Sequence, residues 1–150
     1  MRDNSFLIDT SAWIFALRKD YIPEVKDRID FLLKQDTVVT TGIIKLEIIS
    51  GAGTKREFQR LEAGFIALDL IPSDEAIWQR AYQLGFDLRR KGVTIPHTDV
   101  LIAACALESE SIVVHADAHF DLMAEHSLLK VESLIQKVRE FQKRGISYGV

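Results

Sequence analysis

Short apolar runs alternate with longer amphipathic stretches along the chain. The runs have the β-branched and apolar character of buried strands, the third being the weakest: Phe6-Leu7-Ile8, Thr37-Val38-Val39-Thr40, Asp69-Leu70-Ile71, Ile112-Val113-Val114 and Leu128 to Val131. The remaining stretches have helical spacing: Ser11 to about Arg18, Pro23 to about Gln35, about Gly42 to Ser50, Thr54 to about Leu68, a helix capped by Ser73 and ended by Gly92, Thr98 to about Glu108, and about Glu132 to Arg144. This alternation predicts an α/β fold of three layers, in which a mostly parallel sheet of about four to five strands lies between helices.

Composition narrows the class of protein. The 150 residues are 47% hydrophobic and 27% charged, which favours one soluble domain spanning residues 1–150. The single cysteine, Cys105, excludes a disulfide framework and suits a reducing compartment, so we expect a cytoplasmic protein in which Cys105 is a core residue. No apolar run approaches the roughly 18 residues of a membrane span. The net charge of −3 by itself argues against a nucleic-acid partner.

Two acids follow predicted strands directly or nearly so. Asp9 comes immediately after Phe6-Leu7-Ile8, and Asp117 follows Ile112-Val113-Val114 after two intervening residues. Ligands of an open parallel sheet bind beyond the carboxyl ends of its strands, so neighbouring strands would bring these carboxylates together. Alternatively, each aspartate caps the helix that follows it.

Two further acids lie on apolar helices. At helical spacing Glu47 has as neighbours Ile43, Ile44, Ser50 and Gly51, beside a largely apolar stripe. A carboxylate there costs free energy unless a charge or hydrogen bonds compensate it. The alternative is a boundary glutamate that reaches outward or pairs with a base. Asp99 lies in the first turn of a helix with no other charge before Glu108, which indicates a buried helix whose N-terminus approaches the sheet edge. Favourable interaction with the helix dipole is the alternative explanation.

Four acids that converge without balancing bases would raise one another's pKa values, and divalent cations remove that conflict. Oxygen ligands suit Mg²⁺ or Mn²⁺. Such a site activates water and stabilises the leaving oxygen of an in-line displacement at phosphorus.

Four segments in this order resemble the PIN domain family, most closely the small stand-alone VapC-type toxins of toxin–antitoxin pairs. They are Ile8-Asp9-Thr10-Ser11-Ala12-Trp13, Leu46-Glu47, Thr98-Asp99-Val100-Leu101-Ile102-Ala103-Ala104 and Asp117-Ala118-His119-Phe120. The resemblance implies a three-layer α/β/α PIN-like fold and endonucleolytic hydrolysis of RNA by metal-activated water. It also implies a homodimer and a small cognate antitoxin that blocks the site. The implied ligands of Mg²⁺ or Mn²⁺ are Asp9, Glu47, Asp99 and Asp117, with a hydroxyl of Thr10 or Ser11 bonded to the site.

The last motif departs from the family pattern, which often reads Asp-x-Asp-Phe. His119 takes the second acidic place, which leaves Asp117 intact but removes an auxiliary ligand and puts a second metal position in doubt. Asp121 is the nearest substitute, although the start of a helix should point it elsewhere. We expect His119 or His97 to face the crevice and contact phosphate if either has a functional role.

The basic cluster Arg89, Arg90 and Lys91 ends a helix and precedes the loop that leads to Asp99. One hypothesis is that it holds the RNA backbone; the other is that it stabilises the helix end. Trp13 and Phe15 are expected in the core, with a partner surface as the alternative.

Two rival functions remain open. A phosphoacceptor signalling domain would need an acidic pair after the first strand and a later lysine, where this chain has Thr10-Ser11 and His115-Ala116. A PIN-like RNA-binding or scaffold protein would keep the fold without the chemistry.

Overall fold

The computed structural model describes residues 4–148, in which five strands alternate with eight helices. The strands are β1 (Ser5–Ile8), β2 (Val38–Thr41), β3 (Asp69–Ile71), β4 (Ser111–His115) and β5 (Val131–Ser133). The helices are α1 (Thr10–Leu17), α2 (Pro23–Lys34), α3 (Gly42–Ile49), α4 (Lys55–Ile66), α5 (Glu75–Arg90), α6 (His97–Ser109), α7 (Ala118–Glu125) and α8 (Ile135–Tyr148). This order confirms the alternation predicted from the sequence.

The strands form one sheet in the order β3-β2-β1-β4-β5, and every pairing is parallel. β1 is central, with Leu7 opposite Val39 of β2 and Val113 of β4. Because parallel neighbours end at the same edge, the residues that follow β1 and β4 emerge side by side. The predicted mostly parallel sheet is therefore confirmed.

Three element boundaries described below differ from the prediction. The last strand begins at Val131, because Leu128 is exposed in a turn in which the Ser127 hydroxyl accepts the N–H of Leu129. Glu132 consequently belongs to this strand, and the last helix begins only at Ile135. The cap of α5 is Asp74 rather than Ser73, since the Asp74 carboxylate accepts the backbone N–H of Ile77 at 3.1 Å.

The core lies on both faces of the sheet, and α6 contributes the longest run of consecutive buried residues among the described helices. Every residue from Val100 to Ala106 is buried, including Cys105, which is 1% exposed and confirmed as a core residue. Trp13 is also in the core, with its ring edge-on to Phe65 at a centroid distance of 5.0 Å. Burial of α6 on all sides holds its first turn, and hence Asp99, at the sheet edge.

Across residues 4–148, no helix combines the length and the apolar character needed to cross a membrane.

Candidate metal centre

The first carboxylate, Asp9, lies where β1 passes into α1. It is 4% exposed and caps α1, accepting the N–H of Ser11 at 3.0 Å and the Ser11 hydroxyl at 2.6 Å on the same oxygen, Oδ2. The Ser11 Oγ also accepts the backbone N–H of Ala116 at 3.0 Å. One hydroxyl therefore ties the end of β1 to the turn after β4 and fixes the orientation of Asp9.

The second carboxylate, Asp117, lies in that turn and caps α7. Its Oδ1 accepts the backbone N–H of His119 at 2.9 Å. The N–H of Asp117 itself is donated to Nδ1 of His115 at 3.2 Å, which places the proton of the buried His115 ring on Nε2, where Asp121 accepts it at 3.0 Å. Burial lowers the pKa of His115, with Asp121 opposing that shift.

The third carboxylate, Asp99, reaches the crevice from the first turn of α6. Its Oδ2 lies 3.1 Å from Nδ1 of His119, and the same nitrogen lies 3.2 Å from Oδ1 of Asp117. Ligand atoms of Asp99, Asp117 and His119 all lie within 4.8 Å of one another. Residues from α6 and α7 thus meet at one point beyond the ends of β1 and β4.

The fourth acid, Glu47, lies at the mouth of the crevice on α3. Its side chain is exposed, and its Oε1 accepts the Thr10 hydroxyl at 3.2 Å. Of the two alternatives that the sequence left open, the exposure of Glu47 agrees with a boundary glutamate that reaches outward, and not with a carboxylate enclosed by the apolar residues of its helix. The side chain reaches past those residues toward the start of α1.

Among the described residues, the acids of the site lack compensating positive charge, and the pKa values of three of them are raised. Burial, followed by repulsion from Asp9 and Asp117, raises the pKa of Asp99 to about 6. Burial also raises the pKa of Asp9. The pKa of Glu47 is raised by partial desolvation of its carboxylate, although the residue as a whole is exposed, and then by the charge of Asp9. These carboxylates hold their charge at a cost unless a cation joins them.

The donor set fits a divalent cation. Asp99, Asp117 and His119 form the ligand-spaced group, whereas Asp9 and Glu47 lie beside it and outside that 4.8 Å spacing. Carboxylate oxygens are the ligands that Mg²⁺ and Mn²⁺ prefer, and the His119 imidazole adds a nitrogen. Hydrogen bonds from Ser11 and Thr10 orient two of these carboxylates without consuming all of their oxygens.

The sequence pattern of the PIN domain family matches residues 6–126, which is most of the chain and contains all four acids. This chain belongs to the PIN domain family. Among its curated relatives is Ribonuclease VapC51 of Mycobacterium tuberculosis, 34% identical over 122 residues that cover 79% of this chain and 85% of VapC51. Ribonuclease VapC11 of the same species is 34% identical over 133 residues, which cover 85% of this chain and 97% of VapC11.

Solved structures support the same PIN fold. VapBC2 of Rickettsia felis bound to a promoter DNA fragment gives a TM-score of 0.71 at 20% identity, covering 85% of this chain and 97% of that chain. DNA-bound VapBC of Salmonella typhimurium gives a TM-score of 0.70 at 24% identity, covering 87% of this chain and 98% of that chain. At these identities the likeness concerns the fold alone, and it agrees with the three-layer architecture described above.

The other residues singled out in the sequence, Asp121 and the basic cluster at the end of α5, do not lie among the acids. Asp121 points away from the acids toward His115, so it does not replace the missing acid of the last motif. Arg89, Arg90 and Lys91 are exposed at the end of α5, and the Lys91 ammonium donates to the backbone oxygen of His126 at 2.9 Å.

Sequence reasoning missed one residue of the site, His115. It is 0% exposed and holds the backbone of Asp117 through its ring. As the last residue of a strand, it carries no sequence signal that distinguishes it from an ordinary core position.

Proposed function

We propose that this PIN-domain protein is an endoribonuclease dependent on Mg²⁺ or Mn²⁺ and acts as the toxin of a toxin–antitoxin pair. The observation that carries the proposal is that ligand atoms of Asp99, Asp117 and His119 lie within 4.8 Å of one another beyond two central parallel strands. Asp9 lies near enough that its charge, after burial, helps to raise the pKa of Asp99 to about 6. The names of the curated relatives, which are VapC ribonucleases, support the same activity.

The residues of the site divide into those that would hold the ion and those that orient its ligands. Asp9, Glu47, Asp99 and Asp117 would hold the ion, which when bound supplies a Lewis acid that polarises the phosphodiester and lowers the pKa of water. Ser11 keeps the Asp9 carboxylate turned toward the crevice, since its hydroxyl is also anchored to the turn after β4. Thr10 holds Glu47 over the mouth, so the exposed side chain does not swing into solvent.

The acids also make RNA binding conditional on the cation. The net charge is −3, and this crevice concentrates acids within it, so phosphate is repelled while the carboxylates are uncompensated. We therefore expect RNA affinity to fall when divalent cations are removed, in addition to the loss of cleavage.

The test of the proposal is cleavage of RNA by the purified protein in Mg²⁺ or Mn²⁺. EDTA should abolish cleavage because it removes the ion. Asp9→Asn should abolish it because the variant lacks one of the carboxylates that hold the ion. Asp27→Asn, which changes an exposed aspartate on α2, is the matched control and should remain active. Cleavage that survives EDTA or Asp9→Asn would refute the proposal. RNA binding without any cleavage would favour the scaffold alternative.

We propose that the basic end of α5 holds the RNA backbone. Arg89, Arg90 and Lys91 are exposed and precede the loop to α6, which carries Asp99. The Arg90 guanidinium lies 5.6 Å from the centre of the Phe86 ring, which leaves its outer face available to phosphate.

Charge reversal tests this role. In an inactive Asp9→Asn background, Arg90→Glu with Lys91→Glu should weaken RNA binding and make it less sensitive to salt. The slope of log affinity against log salt should fall by roughly one for each phosphate that the variant no longer neutralises. Lys55→Glu with Arg56→Glu, two exposed residues at the start of α4, changes the net charge by the same amount and is the control for overall charge. If RNA affinity and its salt dependence are unchanged, the cluster does not bind RNA, and its role is to stabilise the C-terminal end of α5.

We propose that the antitoxin binds the groove formed by α1, α2 and α4. The groove has a volume of about 950 Å³ and combines an apolar floor with the basic side chains of Arg18, Lys19 and Arg60; the floor includes Trp13, Leu17, Tyr21, Leu33 and Phe65. The groove follows the C-terminal part of α1, and α1 begins immediately after Asp9. A segment that continues from the groove along α1 would reach the acids, where an arginine or lysine could occupy the place of the cation.

The antitoxin is expected to be encoded by a short reading frame next to this one. Co-expression with that product should yield a complex that Leu33→Arg weakens, because the new charge lies in the apolar floor. Phe31→Arg is the matched control, since Phe31 is 54% exposed on the same helix but does not line this groove. Equal complex yield from both variants would exclude the groove.

We propose that a second copy of the chain covers the exposed face of α5, where Trp78, Tyr82 and Phe86 form a stripe at intervals of four residues. These side chains are 39%, 60% and 57% exposed and border a cavity of about 430 Å³. Arg89 also lines this cavity, so in a dimer the RNA contacts at the end of α5 are Arg90 and Lys91, the pair that the charge reversal tests. Tyr82→Arg should shift the protein from dimer to monomer in light scattering, whereas Gln79→Arg on the same helix should not. An unchanged mass in Tyr82→Arg would exclude this face.

A further inference from the structure

His119 lies with its imidazole between the carboxylates of Asp99 and Asp117. Its backbone lies in the first turn of α7, and its ring crosses from there to α6 so that Nδ1 contacts carboxylates on both elements. The side chain is 42% exposed, whereas those of Asp99 and Asp117 are 16% and 34% exposed. The imidazole therefore covers the two carboxylates from the solvent side.

We infer that His119 is a direct nitrogen ligand of the bound cation and makes the site prefer Mn²⁺ to Mg²⁺. This inference rests on the proposed metal-dependent function, because it concerns the same crevice. It goes beyond that function by assigning a ligand where the family motif often has an acid, and by assigning a consequence for which ion is bound.

The geometry supports a ligand role. Two neighbouring ligands of an octahedral ion with bonds of about 2.1 Å lie about 3.0 Å apart. Nδ1 of His119 lies 3.1 Å from Oδ2 of Asp99 and 3.2 Å from Oδ1 of Asp117, so both pairs already have the spacing of an octahedral edge. A cation can replace the proton shared between these atoms with little movement of the backbone.

The hydrogen bonds around Asp117 support the same role. Its Oδ1 accepts the N–H of His119, which fixes the carboxylate relative to the imidazole that follows it by two residues. His115 holds the N–H of Asp117 from the buried side. The ring of His119 and the carboxylate of Asp117 are therefore presented together by one turn.

The chemistry of the ligand decides the choice of ion. Mg²⁺ prefers oxygen ligands and keeps its waters, whereas imidazole binds first-row transition ions well. Replacing an expected carboxylate by an imidazole also removes one negative charge, which weakens the electrostatic attraction on which Mg²⁺ depends. The substitution thus lowers Mg²⁺ affinity more than Mn²⁺ affinity.

Binding of Mn²⁺ to the purified protein, followed by electron paramagnetic resonance, tests the inference without relying on activity. Pulsed spectra of the Mn²⁺ complex should show coupling to an imidazole nitrogen, which ¹⁵N-histidine labelling identifies. His119→Asn should abolish that coupling and lower Mn²⁺ affinity at least tenfold. His119→Asp should retain Mn²⁺ but raise Mg²⁺ affinity in competition. His126→Asn, on the far end of α7, should change neither measurement.

The outcomes separate this inference from the proposed function. If Mn²⁺ does not bind, or if Asp9→Asn leaves its binding unchanged, both are refuted, because the acids do not form the site. If Asp9→Asn abolishes binding but the wild-type complex shows no histidine nitrogen coupling, only the role of His119 is refuted. Tighter Mn²⁺ binding by His119→Asn would also overturn it, since the imidazole would then be a cation that competes with the metal.

Discussion

Asp99 lies in an environment that disfavours its charge, so we expect Asp99→Asn to stabilise the metal-free protein at neutral pH. The side chain is 16% exposed, and burial together with the charges of Asp9 and Asp117 raises its pKa from 3.8 to about 6. One pKa unit corresponds to about 1.36 kcal/mol, so the penalty for ionising Asp99 in the folded protein is roughly 3 kcal/mol. Asparagine has nearly the same shape and carries no charge.

The pH dependence follows from the direction of the shift. Because the folded-state pKa is raised, the contribution of Asp99 to stability is fully present below about pH 3.8 and is lost as the pH rises through about 6. Asp99→Asn has no ionisable group at this position, so its stability does not fall with rising pH for this reason. Its advantage over the wild type should therefore be near zero at about pH 4 and reach its full value above about pH 7.

Urea denaturation in EDTA at pH 4.5, 6 and 7.5 measures the difference directly. Glu62→Gln, which neutralises an exposed acid on α4, is the control for net charge. Mn²⁺ at about 100 times its dissociation constant should stabilise the wild type by about 2.7 kcal/mol and the variant by less, which removes most of the advantage.

Two results would refute this reasoning. If Asp99→Asn is no more stable than the wild type at pH 7.5 in EDTA, the acids do not repel one another in the folded state. If the difference is the same at pH 4.5 and pH 7.5, it does not arise from ionisation of Asp99.

Three substitutions test how the surrounding structure supports the site. Ser11→Ala removes the hydroxyl that joins Asp9 to the turn after β4 and should cost about 1–3 kcal/mol in urea denaturation, whereas Ser11→Thr should retain most of the stability. Arg28→Lys removes the paired interaction with Glu132, two bonds of 2.8 Å between partly exposed side chains, and a double-mutant cycle should give a coupling of about 1 kcal/mol or less. Phe120→Ala empties a fully buried position and should cost about 3–5 kcal/mol by calorimetry; a loss below about 1 kcal/mol would contradict the packing.

Local properties of the chain were sufficient to predict the element order and much of the core. The period of apolar residues distinguishes helices from strands, and a helix without charge between Asp99 and Glu108 has to be buried. The same reasoning places Asp9 and Asp117 at strand ends, because a parallel sheet aligns the carboxyl ends of its strands. Boundaries were less predictable: Glu132 lies in a strand and not in a helix because register with β4, a long-range contact, decides it.

Only the tertiary structure decides which side chains contact one another around the acids. Glu47 is exposed and bonded to Thr10, and Asp121 turns toward the buried His115 and leaves the crevice. His119, an apparent loss of an acid in the sequence, lies between Asp99 and Asp117. The sequence by itself determined the class of fold and the strand-end positions of the acids, because these depend on periodicity along the chain. The contacts of each acid depend on the packing of α3, α6 and α7, which are far apart in sequence, and no local pattern encodes them.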